Sequence, residues 1–453
     1  MIRDELTAIA EAALGAADPG ADVQLLARAW HERSLRAELA GSSYGTTEAA
    51  QRSGVEVLAI VDGHAARAAD LGATPATAEL AASRALAAAE ALALAAGSGD
   101  HPGLPEPAVG RAHQAFDAAT ARLEGWHETL DSALAAPGST RLDGHWEAGV
   151  VTTAMAATNG LSVTDATTDA ELRLAVRAVQ GAVATRLAPA ASALDGAALA
   201  REALALAATG AAEPLAPTPT GTLPVVLGPD AVATLLALLG RTAFNGLLHA
   251  EGRGALAGRL GARIGAPAIN LSDTPRLNGT LPRAFDAEGV PKAPIPLVQD
   301  GVAHRVVHDT RSAARAGGAA RSTGHALAPG GSATGPEPRN LVLIGGGVSD
   351  DAELAAAIAH GVYVPRIEAL ALLDLASTAF TAVAPAARLI RGGTIGEPLA
   401  PSRIGGTALE MLARTEALTS RTRLAGWVER PPSTPRFAWG AVVPALRTHL
   451  QLG

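Results

Sequence analysis

Glu213-Pro-Leu-Ala-Pro-Thr-Pro-Thr-Gly-Thr-Leu-Pro224 holds four prolines in twelve residues. Each proline lacks the amide proton that a helix interior or a central strand needs. The stretch therefore reads as a link between two folding units, residues 1–212 and 225–453. On its N-terminal side, residues 4–17 predict a helix with Leu6, Ile9, Ala10 and Ala13 on one face. Residues 21–39 and 55–61 alternate like strands, the second ending at the tight-turn dipeptide Asp62-Gly63. Residues 74–96 read as an Ala-rich helix capped by Thr74 with Pro75 in its first turn. Residues 108–135 predict another helix, 149–156 a strand entering Asn159-Gly160, 172–182 a strand and 196–208 a helix.

Beyond the link, residues 225–227 read as a strand. Residues 229–250 predict one helix, with Val232, Leu235, Leu236, Leu239 and Leu247 at helical spacing. Short strands are expected at 268–271, 295–299, 302–308, 340–344, 362–366 and 387–390, and a late helix at 403–414. Asp300-Gly301 joins two of these strands as a hairpin. The expected fold is α+β, in two domains that each mix helices with mainly antiparallel sheet.

Composition removes several function classes. With 36 basic and 44 acidic side chains the 453-residue chain carries a formal −8, which opposes a nucleic-acid surface. Aromatics at 3% leave few platforms for stacking bases. There is no cysteine, so disulfides, thiolate metal sites and cysteine nucleophiles are excluded. Lys292 is the sole lysine and follows Pro291, which rules out a phosphate loop and leaves a poor Schiff-base candidate. The charged opening Met-Ile-Arg-Asp-Glu argues against export, and no apolar run suits a membrane span, so a cytoplasmic location is expected. The Ala-rich, lysine-poor composition suggests a bacterium with a high-GC genome.

Without cysteine, histidines are the first candidates for metal ligands. His31-Glu32 and His127-Glu128 each begin a His-Glu-x-x-His motif that the following residues fail to complete, and both read as surface pairs. His304 and His308 fall on an alternating stretch, where residues four apart lie about 13 Å from each other, and read as exposed. Gly41-Ser-Ser43-Tyr-Gly45 matches a nucleophile elbow in letters, but charged residues precede it where a buried strand is required. It reads as a surface turn. His249, Glu251 and Arg253 come together at the end of the apolar helix, beside a glycine-rich turn. Acidic pairs such as Asp286/Glu288 and Asp350/Asp351 do not by themselves name a reaction.

The stretch from Asp273-Thr-Pro-Arg through Phe285-Asp286-Ala-Glu288-Gly289-Val290-Pro291 resembles a signature of the TldD/PmbA family, also called modulator-of-gyrase proteins. The resemblance extends to Asp300-Gly301, Ser322-Thr323-Gly324-His325, Gly335-Pro-Glu-Pro-Arg-Asn340, Gly361-Val-Tyr-Val-Pro-Arg366 and Ile404-Gly-Gly-Thr. In the first half, Asp62-Gly63 and Ala157-Thr-Asn159-Gly160-Leu161 match in order. The resemblance implies a two-domain α+β protein of peptide proteolysis, usually a pair of related subunits. It implies that TldD-type subunits bind zinc through His-Glu-x-x-x-His and a later cysteine, with the Glu activating water.

On that alignment His249 takes the first ligand position, Ala250 replaces the Glu and Gly254 replaces the second His. Glu251 lies one place late, rotated about 100° around a helix. The expectation is a non-catalytic TldE/PmbA-like subunit of a zinc metallopeptidase complex that processes peptides, including peptide natural-product precursors. No cofactor is expected in this chain, zinc being held by a TldD-type catalytic partner. Peptide is the expected substrate, with no nucleic acid and no membrane as partners. The motif suggests Asp286, Glu288, Ser322 and Asn340 as substrate-binding candidates. Two alternatives stay open. One is a divergent, metal-independent hydrolase or biosynthetic enzyme using His249, Glu251 and Arg253, or His325 beside Ser322. The other is a stand-alone peptide-binding module.

Overall fold

The computed structural model describes residues 3–16, 23–96, 99–136, 141–177, 182–207, 216, 218–277 and 279–453. Ala17, Gln180, Ala208, Glu213, Pro217 and Asn278, which fall in the segments read above, lie outside the described residues.

The first half contains α1 (Arg3–Leu14), β1 (Val23–Ala40), β2 (Ser43–Val61), β3 (His64–Leu71), α2 (Pro75–Ala96), α3 (Trp126–Leu134), β4 (Leu142–Ala157), β5 (Ser162–Val176), β6 (Val183–Ala188) and α4 (Gly196–Ala207). Its strands form one antiparallel sheet in the order β3-β2-β1-β4-β5-β6. The four face residues predicted for α1 are all buried, beside Leu25, Ala27 and Ala29 of β1 and the alanine face of α2. The Thr74 hydroxyl accepts the Thr77 amide, so the expected cap is in place. Helices α3 and α4 cover the other half of the same sheet face.

The second half contains β7 (Gly221–Leu227), α5 (Pro229–Thr242), α6 (Gly246–Ala250), β8 (Leu271–Asp273), β9 (Ile295–Gln299), β10 (Val302–Ala303), α7 (Thr310–Ala316), β11 (Asn340–Leu343), α8 (Asp351–Ala356), β12 (His360–Val364), β13 (Glu368–Asp374), β14 (Ala379–Ala384), β15 (Arg388–Arg391), β16 (Thr394–Pro398), β17 (Ser402–Thr407), α9 (Ala408–Ala413), β18 (Ala417–Glu429) and β19 (Phe437–Leu452). β19 is the hub of this sheet. It pairs parallel with β11 and antiparallel with β7, β17 and β18. The buried face of α5 packs in the core that this sheet encloses. Both halves thus combine helices with mainly antiparallel sheet, an α+β fold.

Several local expectations fail for physical reasons. Residues 108–117 are irregular rather than helical, because side chains and distant strands take their backbone groups. The Arg111 amide donates to the Ala284 carbonyl, and the Asp117 amide to the Thr168 hydroxyl. The expected helix at 229–250 breaks in two, since the Asn245 side chain caps a new helix through the Leu247 and Leu248 amides. Strand pairing after the Asp300-Gly301 turn stops at Ala303, and the first half of the segment 403–414 is strand β17. Gly221–Pro224, the end of the proline-rich stretch, joins β7. Pro224 pairs with His449 of β19, while parallel pairing with β12 begins only at Val225, so its missing amide leaves no bond unmade there.

The two sheets meet through a charged face. On β1, β4 and β5 the residues turned away from the helices include Glu32, Glu147, Gly149 and Asp169. Arg436, just before β19 and 1% exposed, lies across them. Its Nη1 donates to Glu147 at 2.8 Å, its Nη2 to Asp169 at 2.5 Å, and its backbone amide to Glu32 at 2.7 Å. Arg430 binds Glu147 as well, and Arg52 binds Glu32. Burial works against the Arg436 charge, but Asp169 and Glu147 outweigh it and hold its pKa above the ordinary value. Gly149 makes the approach possible, because a Cβ there would lie 2.3 Å from Arg436 Nε. Glu32 is accordingly buried, at 4% exposure, and His31, on the helix-covered face of β1, is buried at 5%, so the two are not the surface pair expected. His127 and Glu128 are exposed as expected.

Candidate functional site

His249 stands on α6, a helix of five residues that ends where the zinc motif would continue. Glu251 is its C-cap, and Gly252 turns the chain away with φ +69°. Gly254 therefore lies beyond the helix, and neither it nor Ala250 carries a donor atom. His249 Nδ1 is buried without a hydrogen-bond partner. Glu251 is bound by Arg253 at 2.9 Å and Arg315 at 3.1 Å, which neutralise it at the surface. Among the described residues no three His, Asp or Glu side chains are grouped to hold a metal ion. One imidazole with an arginine-paired carboxylate does not fit the zinc set that the resemblance describes.

His308, expected on an exposed sheet face, is 8% exposed because the chain leaves the sheet and turns inward. Its Nδ1 lies 3.2 Å from Ser312 Oγ, and burial lowers its pKa. His304 is exposed. Gly41 and Ser42 make the β1–β2 hairpin turn, and Ser43, the serine the motif would use, starts β2 as an exposed residue paired with Ala40, with a strand and not a helix following, so no nucleophile elbow forms.

The signature residues converge elsewhere, on a cavity of about 90 Å³ between the two sheets. Arg28, Thr153 and Asp165 line it from the first sheet. Arg283, Asp286, Lys292, His325, Arg339, Asn340 and Phe437 line it from the second half. The loop bearing His325 approaches Pro291 closely through Gly324 (φ +77°), where a Cβ would meet the Pro291 carbonyl at 2.7 Å.

The sequence-derived candidates divide here. Asp286 and Asn340 reach this cavity. Asp286 accepts three backbone amides, from Glu288, Val290 and Ala326, so its carboxylate organises the loop. Burial raises its pKa against those bonds. Glu288 lies behind it. One of its oxygens accepts the amide and hydroxyl of Thr310, and the other is buried without a partner. Burial and then the charge of Asp286 raise its pKa, so Glu288 favours the protonated acid.

Ser322 does not meet His325. The His325 Nδ1 lies 3.0 Å from Thr323 Oγ1, and its Nε2 lies 3.2 Å from Asp273 Oδ1. Asp273 is fully buried. Its other oxygen accepts the amides of Arg339 and Asn340. Desolvation opposes its charge, but Lys292 and His325 outweigh it and hold its pKa well below the ordinary range.

Residue types alone passed over Arg283, Lys292 and Arg339. Lys292 is 6% exposed, and its nearest carboxylate, Asp273, is 3.9 Å away. Burial lowers its pKa. Arg283 and Arg339 both stack on the Phe437 ring, 4.1 and 4.2 Å from its centroid. A lone lysine directly after the longest motif was the available signal.

The PmbA/TldA metallopeptidase C-terminal domain model matches residues 220–447, half of the chain. A protein of Methanothermobacter thermautotrophicus named "Metalloprotease" is 30% identical over 212 residues, 46% of this chain and 45% of its own length. The match thus spans about half the length of that relative. Three solved structures share the fold. A modulator of DNA gyrase from Thermotoga maritima superposes with a TM-score of 0.79 at 18% identity, over 98% of this chain and 99% of its own. TldE from Thermococcus kodakarensis gives 0.79 at 19% identity over the same shares. A modulator of DNA gyrase from Bacteroides thetaiotaomicron gives 0.77 at 16% over all of both chains. With the family model matching half of the chain, and the second-half lining of the signature cavity falling within that match, this chain belongs to the PmbA/TldD family of metallopeptidase-like proteins.

Proposed function

We propose that the chain is a TldE/PmbA-like, non-catalytic subunit of a TldD/TldE-type zinc metallopeptidase complex that processes peptides. In this reading zinc and the general base belong to a TldD-type partner, and this chain shapes or holds the peptide. One observation carries it. At the motif position stands His249-Ala250-Glu251-Gly252-Arg253-Gly254, on a helix that ends at Ala250, in a chain without cysteine.

The test is zinc analysis of the isolated chain and of its complex with a co-expressed His-Glu-x-x-x-His subunit. The expected result is zinc and peptide cleavage in the complex and neither in the isolated chain. Stoichiometric zinc bound by the isolated chain, lost on His249→Ala, would overturn the reading.

A second reading, metal-independent hydrolysis by this chain, has one observation in its favour: Thr323, His325 and Asp273 stand in a row, with His325 Nδ1 3.0 Å from Thr323 Oγ1 and Nε2 3.2 Å from Asp273 Oδ1. Against it, the Thr323 oxygen already bonds the amide and carbonyl of His308. Chelator-resistant peptide cleavage by the purified chain, abolished by His325→Ala, would favour this alternative.

A further inference from the structure

Buried polar atoms are nearly always hydrogen-bonded, so a set of orphans around one cavity marks a missing partner. His325 Nε2 and Asp273 Oδ1 face each other at 3.2 Å without a formed hydrogen bond, and Glu288 Oε1 is unpartnered behind the wall. The remaining under-bonded groups of the lining are of one kind. Asn340 is 2% exposed, and its Nδ2 has no partner. Lys292 has no hydrogen bond to its ammonium among the described residues. Arg283 spends its guanidinium on one long bond, 3.4 Å, to the Arg436 carbonyl. All three are donors.

The carboxylates that line the cavity are already occupied. Asp165 accepts His113 and the Ala284 amide, Asp286 accepts three amides, and Glu337 pairs with Arg241 and Arg339. Donors facing a small cavity with its carboxylates committed elsewhere form an anion site. The lone lysine adds to this. Every other strong cation in the sequence is arginine. An ammonium is kept at the one place where a compact, rotatable charge suits a small pocket better than a planar fork.

We propose that this cavity binds the C-terminal carboxylate of a peptide, held by Lys292, Arg283 and Asn340. The cavity volume suits the carboxylate end rather than a whole peptide. Arg283, Leu327, Arg339 and Phe437 keep part of their surface exposed, on the side where the rest of the chain would leave. That the ligand is a peptide rests on the peptide-processing reading above; that the site takes a carboxylate rests on the cavity alone.

The test is titration calorimetry of the purified chain with alanyl-alanine, with its C-terminal amide and with inorganic phosphate. The free acid should bind, the amide should bind about tenfold more weakly or not at all, and Arg283→Gln should reduce acid binding by a similar factor. A second measurement needs no variant. Lys292 is the only lysine, so its reductive methylation can be followed by mass spectrometry, and the acid should slow it while the amide does not. Equal binding of acid and amide, no binding of either, or phosphate binding more tightly than the acid would each overturn the assignment. Failure here beside a complex that cleaves peptides would remove the pocket and leave the subunit reading standing. Acid binding by a chain that also carries its own zinc would do the reverse.

Discussion

Two polar clusters are buried between the same pair of sheets, and they are built in opposite ways. Around Arg436 every charge meets its counterpart: Asp169, Glu147 and Glu32 accept from it, and Arg430 and Arg52 complete the set. Around Lys292 the charges are close but unmatched, and Asn340 Nδ2 and Arg339 Nε have no partner at all. Burying a charge costs several kcal/mol unless geometry and hydrogen bonds repay it. The first cluster meets that condition within the chain. The second meets it only with a ligand. A satisfied cluster fixes how two sheets sit together, whereas an unsatisfied one keeps free energy in hand for binding.

The contrast breaks most visibly at Arg436. Replacing it with Met leaves Asp169 and Glu147 buried without their cation and should cost about 3–5 kcal/mol of unfolding free energy. Denaturant unfolding measures this, and a loss below about 1 kcal/mol would mean the cluster holds nothing. The floor of the same cluster comes next. Gly149→Ala places a methyl group against a guanidinium pinned by two carboxylates, and overpacking of that kind costs about 1–3 kcal/mol.

A third test uses pH on the unsatisfied side. The folded-state pKa of Glu288 is raised above its ordinary value of 4.5 by burial and by Asp286. Above about pH 5 the unfolded chain has therefore released a proton that the native state still holds. Stability is fully present at acid pH and falls as pH rises through the window up to the raised pKa. Glu288→Gln keeps the shape without the proton. It should flatten that slope and leave the variant more stable than the parent near pH 9, by about 1–3 kcal/mol. Melting temperatures at pH 5 and pH 9 decide it. Equal slopes in both proteins would show that Glu288 is ionised throughout.

How much of this was legible beforehand follows from what each element depends on. The face of α1 and the caps and turns at Thr74, Asp62-Gly63 and Asp300-Gly301 are set by neighbours in sequence, and they could be read there. The split at Asn245 was not. Its side chain chooses between continuing a helix and capping a new one, and that choice is fixed by Thr334, which holds the Asn245 amide from a distant loop. Residues 108–117 went wrong for the same reason, since their partners Ala284 and Thr168 lie far along the chain.

The site was legible as a motif but not as chemistry. Asp286 stood out as a carboxylate, yet three backbone amides make it a loop organiser. Lys292 was discounted because it follows proline. Nothing local tells that it lines one cavity with Arg283 and Asn340, at the gap between two sheets.

The smallest expected effect is the one that most sharpens the contrast. Lys292→Met keeps a long unbranched stem in the cavity wall and removes only an ammonium that has no hydrogen bond among the described residues. Asp273 then loses a cation 3.9 Å away, but it keeps His325 and the amides of Arg339 and Asn340. The buried charge that disappears was itself costly, so the two changes oppose each other. The net change in stability should stay within about 1 kcal/mol, with a rise in melting temperature as the favoured sign. If the variant instead unfolds as readily as Arg436→Met, Lys292 is part of the scaffold and the two clusters are alike. If it is as stable as the parent and no longer discriminates a free carboxylate from its amide, the cavity has been maintained against the interests of the fold, for something it binds.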